Sequence, residues 1–170
     1  GPPPLPDAPS PEAARSEAES ETNAVRAADL AWILGNDRAL ARRKLDEGLA
    51  KKPGDPALLF RRARLADAEL REDDARADLL AMIGAAPNAP ETGLAIARLL
   101  DDPGDDPKAL AEVATKTKDA LLGAPSLSPS RAARLAILAA RADTTPRAAI
   151  DAAISARGGI LTLARALGPL

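Results

Sequence analysis

Apolar and polar positions alternate along this chain with the 3.6-residue period of amphipathic helices, interrupted by short clusters of Pro, Gly and Asp. After the proline-rich opening "GPPPLPDAPSPEAA", Ser10-Pro11-Glu12 joins an N-cap to a proline in the first turn, which predicts a helix start. The predicted helix is charged at first. Its apolar stripe firms up at Val25, Ala28, Leu30, Trp32 and Ile33 before Gly35-Asn36-Asp37 ends it and caps the next. Leu40, Ala41, Leu45, Gly48 and Leu49 then recur at helical spacing up to Pro53. Asp55-Pro56 restarts the pattern with Leu58, Leu59, Ala63 and Leu65, a turn is expected at "REDD", Arg71 to Asp74, and Ala75, Leu79, Met82 and Ile83 mark a partner helix stopped by Pro87. A third pair is expected from Pro90 to Leu100 and, after "DDPGDDP", from Pro107 to Leu122. Further starts at Ser128-Pro129 and Thr145-Pro146, and a last short stripe of Ile160, Leu163 and Leu167 after Gly158-Gly159, bring the expected total to about eight or nine helices.

The punctuation repeats. Pro53 and Pro87 are 34 residues apart, and so are Pro56 and Pro90. The same shift places Ala41, Ala75 and Ala109 in one column and Leu45, Leu79 and Val113 in another, with Leu49 and Ile83 just beyond. Small residues in register suit points where two helices cross closely, and a larger apolar residue one turn on fills the adjoining gap. These columns resemble the tetratricopeptide repeat, a helix-turn-helix unit of about 34 residues whose inter-repeat turn carries proline. The resemblance runs through Val25 to Pro53 (Trp32, Ala41, Leu45, Pro53) and Leu59 to Pro87 (Ala63, Ala75, Leu79, Pro87), with a weaker third unit at Ala97, Leu100, Ala109 and Val113. It covers Thr22 to Leu122, about three fifths of the chain. Asp29 stands where the family prefers a small residue, Arg62 where it prefers a large apolar one, and the third unit closes late, at Pro125.

The resemblance implies an all-α fold: a right-handed array of antiparallel helix pairs, a tetratricopeptide-like α-solenoid over residues 11–125, with residues 126–170 as C-terminal capping helices and residues 1–10 as a disordered proline-rich linker. It also implies a concave groove lined by the first helix of each pair, holding a peptide or a helix without catalysis. Arg64 and Arg98, 34 apart in first helices, fall on the groove side, and Asn23 and Arg26 lie on the comparable face of the preceding unit. Together with Asp67 these are the candidate peptide-binding residues, a ladder of cationic and amide groups suited to a carboxylate or an acidic peptide. The plainer alternative is that the arginines are solvated or pair within their helices, Arg64 with Asp67 and Arg98 with Asp101.

Composition narrows the chemistry. Alanine makes up about a quarter of the 170 residues, Phe and Trp occur once each, and Tyr is absent, a balance that favours helices over strands. Such small side chains spread a core over many thin helix contacts. The chain contains neither cysteine nor histidine, so disulfides, thiolate nucleophiles and imidazole are excluded, and zinc, haem and iron–sulfur centres lose their usual ligands. A formal charge of -2 provides no general attraction to nucleic acid or to anionic membranes. No run reaches the roughly 20 apolar residues of a membrane span. Gly1-Pro2 reads as a remnant of tag cleavage, and the proline-rich spacer could follow an export signal, a lipid anchor or another domain. Both cytoplasm and periplasm fit.

The remaining clusters have structural explanations. "RALARRK", with Lys51-Lys52 and "RRAR" beyond, is densely basic but has no interleaved aromatics, and acidic residues follow at Asp46, Glu47 and Asp55, so a solvated outer face is expected rather than a nucleic-acid surface. "DDPGDD", Asp101 to Asp106, lacks the alternating ligands and distal Glu of an EF-hand and reads as helix capping. Trp32 is expected to anchor the core. Neither a catalytic residue nor a cofactor is called for. The function expected is a non-catalytic adaptor, scaffold or assembly factor with a protein or peptide partner, and the alternative is a structural or tethered component of a bacterial cell-envelope complex.

Overall fold

The computed structural model describes residues 1–4, 7–86 and 89–102, together with Gly104, Glu112 and Lys116. The described residues are all-helical, with no strand among them: α1 (Pro11–Ser20), α2 (Ala24–Asp29), α3 (Arg38–Lys51), α4 (Pro56–Ala68), α5 (Glu72–Ala85) and α6 (Pro90–Asp101). A π-helical turn, Leu30–Leu34, continues α2. Residues 1–4 and 7–10 are exposed and carry no regular structure. Pro87, the helix expected from Pro107 to Leu122 apart from Glu112 and Lys116, and the expected cap at 126–170 lie outside the described residues.

Helix starts follow the capping chemistry in the sequence. Ser10, Asp37 and Asp55 each place a side-chain oxygen on a backbone N–H three residues on, at 3.1, 2.9 and 3.1 Å. One expected helix is two. Glu21 leaves the helix in an extended conformation, its carboxylate accepts from the Asn23 amide, and Asn23 caps a new helix through its bond from Arg26 N. Two local acceptors in succession offer the backbone an alternative to continuing α1. "REDD" also shifts role, because Glu72, Asp73 and Asp74 form the first turn of α5, where carboxylates face the positive end of the helix dipole. The turn itself is Glu69–Leu70–Arg71, with Leu70 at a φ of 58° and Arg71 N donating to Ala66 O.

Successive helices pack on one another, and α4 additionally touches both α2 and α6. The alanine columns lie at these contacts: Ala41 and Ala75 are wholly buried, as are Leu45 and, but for a trace, Leu79 one turn on. Leu58, Leu59, Leu65, Met82, Ile83, Ile96 and Leu99 extend the same core, with Trp32 and Phe60 half-buried against it. Each buried leucine contributes about 2 kcal/mol relative to exposure, so the core is built from many modest terms. Gly48 marks the closest approach: a Cβ there would lie 2.6 Å from Ala24 Cβ and 2.9 Å from Leu58 Cδ1.

Candidate functional site

The candidate residues fall on the three first helices of the expected pairs, α2, α4 and α6. Asn23 is committed to capping: its Oδ1 takes the Arg26 amide at 3.0 Å. Arg26 is largely exposed, with Glu21 at 3.5 Å. Arg64 is exposed on α4, its guanidinium carbon 5.9 Å from the centre of the Phe60 ring, and it forms no ion pair with a described residue. Arg98 is different. It grips Asp67 with two prongs, Nε to Oδ2 at 2.8 Å and Nη2 to Oδ1 at 2.6 Å, and this bond raises the basicity of the guanidinium against the opposing effect of burial. Neither in-helix pairing foreseen from sequence forms, since Arg98 takes a partner 31 residues upstream and Arg64 takes a ring.

A second such clasp joins α4 to α2. Arg61 donates to Asp29 through Nε at 2.8 Å and Nη2 at 3.2 Å. α4 is therefore joined to α2 and to α6 by one bidentate pair each. Asp29, anomalous in the resemblance, is the acceptor of one of them. Arg62, the other anomaly, bridges α3 and α5: it donates to Asp78 at 2.9 and 2.7 Å and to Asp46 at 2.9 Å. The Asp78 contact is the chief reason that this guanidinium is held above its usual basicity. Asp78 itself is buried, where an unpaired carboxylate would be costly.

Another pair of contacts keeps the 34-residue register. Arg42 in α3 donates to Glu69, just after α4, at 2.9 Å, and Arg76 in α5 donates to Asp102, just after α6, at 3.2 Å. Arg42 and Arg76 are 34 apart and their acceptors 33 apart. Arg42 and Arg76 each follow a residue of the alanine column, Ala41 and Ala75, but Arg42 is hidden in a basic run that reads as solvated surface. That run is instead heavily ion-paired: Arg43 binds Glu19 and Glu47, and Lys44 is buried with Nζ donating to Glu19 O at 2.9 Å. A groove of about 640 Å³ between Arg38, Arg42, Arg43, Asp46, Glu47 and Glu69 carries balanced charge.

Two large apolar side chains near these elements stay in solvent. Ile33 is 72% exposed after α2, and Leu94 is 56% exposed on α6, one turn before Arg98. Glu91 and Asp101 lie on the same side of α6, so this face is mixed in charge. At one end of it, Thr22, Asn23, Ala24, Val25, Gly48, Lys51, Lys52, Asp55 and Leu58 enclose a cleft of about 230 Å³. Among the described residues, no group of three or more Asp or Glu is arranged to hold a metal ion, and no helix is long and apolar enough to cross a membrane. Asp102 serves Arg76 and accepts the Gly104 amide at 3.2 Å, while Asp105 and Asp106 lie outside the described residues. Comparison with protein-family models, with curated proteins and with solved structures finds no match.

Proposed function

We propose that the helices form a tetratricopeptide-like array of pairs whose first helices present a docking face for a protein segment, making the chain a non-catalytic adaptor or assembly module. One observation carries this reading: α4 is clasped to α2 by Arg61–Asp29 and to α6 by Arg98–Asp67, while Ile33, Leu94 and Arg64 remain in solvent beside those clasps. A surface braced by two-pronged ion pairs keeps its shape without a partner, and a preorganised surface loses less entropy on binding. Exposed apolar side chains beside an unneutralised cation suit the mixed anchors of a peptide segment. The repeated register of Arg42–Glu69 and Arg76–Asp102 supports the array.

A display selection of peptides of about 16 residues against the 170-residue chain tests the proposal. Enriched peptides should bind the isolated chain and lose about tenfold in affinity on Leu94→Ser plus Arg64→Ala. Failure to enrich any peptide, together with self-association of the chain in solution, would favour a structural subunit joined to its complex through broad surfaces.

A further inference from the structure

We infer that the cleft between the start of α2, the end of α3 and the start of α4 is an anchor subsite for a carboxylate with an apolar neighbour on a partner peptide, an inference that rests on the docking function proposed above. The lining combines cationic, polar and apolar side chains. Lys51 and Lys52, both exposed, contribute two ammonium groups that pair with no described carboxylate. Asp55 is the one acid in the lining, and its Oδ1 is engaged by the Leu58 amide at 3.1 Å. Thr22 adds a hydroxyl. Asn23 adds an amide NH₂, since only its carbonyl oxygen is used in capping. Ala24, Val25 and Leu58 add apolar atoms to the lining, although Leu58 is buried in the core.

Two cations against one acid leave a local excess of positive charge on a chain whose formal charge is -2. Arg42, Arg43, Arg61, Arg62, Arg76 and Arg98 are neutralised by carboxylates, whereas Lys51 and Lys52, like Arg64, pair with no described carboxylate. The volume of about 230 Å³ accommodates one carboxylate and one aliphatic side chain rather than a large cofactor. The carboxylate could belong to an Asp or Glu side chain or to the end of a peptide, and the chemistry recognised is the same.

The test uses the ¹⁵N-labelled 170-residue chain and synthetic acetylated peptides of about ten residues. One carries a central Glu-Leu step and an amidated end, a second replaces that Glu by Gln, and a third ends in a free Leu carboxylate with no acidic side chain. Carboxylate-bearing peptides should shift the amides of Asn23, Ala24, Lys51 and Lys52, weaken with added salt, and bind about tenfold less tightly to Lys51→Ala plus Lys52→Ala. Comparing the first and third peptides identifies the preferred source of the carboxylate. Equal binding of the Gln peptide, undiminished affinity of the double variant, or absence of binding by both carboxylate peptides would overturn the subsite. If peptides from the display selection bind while perturbing only residues around Phe60 and Leu94, the subsite falls and the docking function stands. Both lysines are exposed, so the variant's melting curve should match the parent's and separates lost binding from lost folding.

Discussion

Arg98 and Asp67 share two near-parallel hydrogen bonds, 2.8 and 2.6 Å long, between helices whose paired residues are 31 positions apart. The fork of a guanidinium matches a carboxylate in one orientation, so this contact sets the rotation of α6 against α4 as well as their distance. A double-mutant cycle on Asp67→Asn and Arg98→Gln should yield a coupling of about 1 kcal/mol, because both side chains are only partly exposed. Arg98→Lys should recover less than half of it. Urea denaturation of the four proteins measures this.

The Arg62 bridge should be more costly to break. Arg62→Met leaves the Asp78 carboxylate buried without its two-pronged partner, and a loss of about 2 kcal/mol is expected, moderated by the solvent that still reaches the site. Adding Asp78→Leu should restore most of that loss, since two apolar side chains then fill the gap. If the double variant were no more stable than Arg62→Met, the unpaired charge would not be the cause.

Glu69 confers a pH dependence of known sign. Its bond from Arg42 holds the carboxyl below the ordinary glutamate value, so the folded state binds this proton less readily than the unfolded chain. The resulting stabilisation is complete above the unfolded value, about pH 4.3, and is lost as pH falls through the lower folded value. Glu69→Gln should therefore melt below the parent at neutral pH, with the gap closing below about pH 4. Thermal melts across that range measure it.

At Gly48 two effects oppose. Alanine favours a helix interior over glycine by about 1 kcal/mol, yet the new methyl would sit 2.6 Å from Ala24 Cβ and 2.9 Å from Leu58 Cδ1. Overpacking of that kind costs about 1 to 3 kcal/mol, so Gly48→Ala should destabilise in chemical denaturation.

Leu70 should behave in the opposite way. It holds a φ of 58° in the turn between α4 and α5 while its side chain is 83% exposed, so a branched residue bears left-handed strain without burying its side chain. Leu70→Gly should raise stability by about 0.5 to 1 kcal/mol, read from the denaturation midpoint.

Local chemistry made much of the architecture readable in advance. Ser10, Asp37 and Asp55 cap where their positions before a helical stripe predicted, and Ala41, Ala75, Leu45 and Leu79 are buried as their register predicted, because caps and periodicity act within a few residues of chain. The break at Asn23 was missed because Glu21 and Asn23 are also tolerated inside a helix, and only their hydrogen bonds separate the two outcomes. Which arginine meets which acid was decided by tertiary structure alone. Solvent or the in-helix neighbour Asp101 was the plainer expectation for Arg98, and the basic run around Arg42 and Arg62 was expected to lie in solvent, yet all three reach across to other elements. A long cationic side chain has many acceptors in reach along its own helix, and packing that brings a remote carboxylate into fork geometry selects among them. Sequence thus determined the capped starts of α1, α3 and α4 and which faces turn inward, through forces that are local. Tertiary structure decided how the helices are clasped and which cations, Arg64, Lys51 and Lys52 among them, are left without a described carboxylate, because those outcomes depend on distances between segments that the order of residues does not contain.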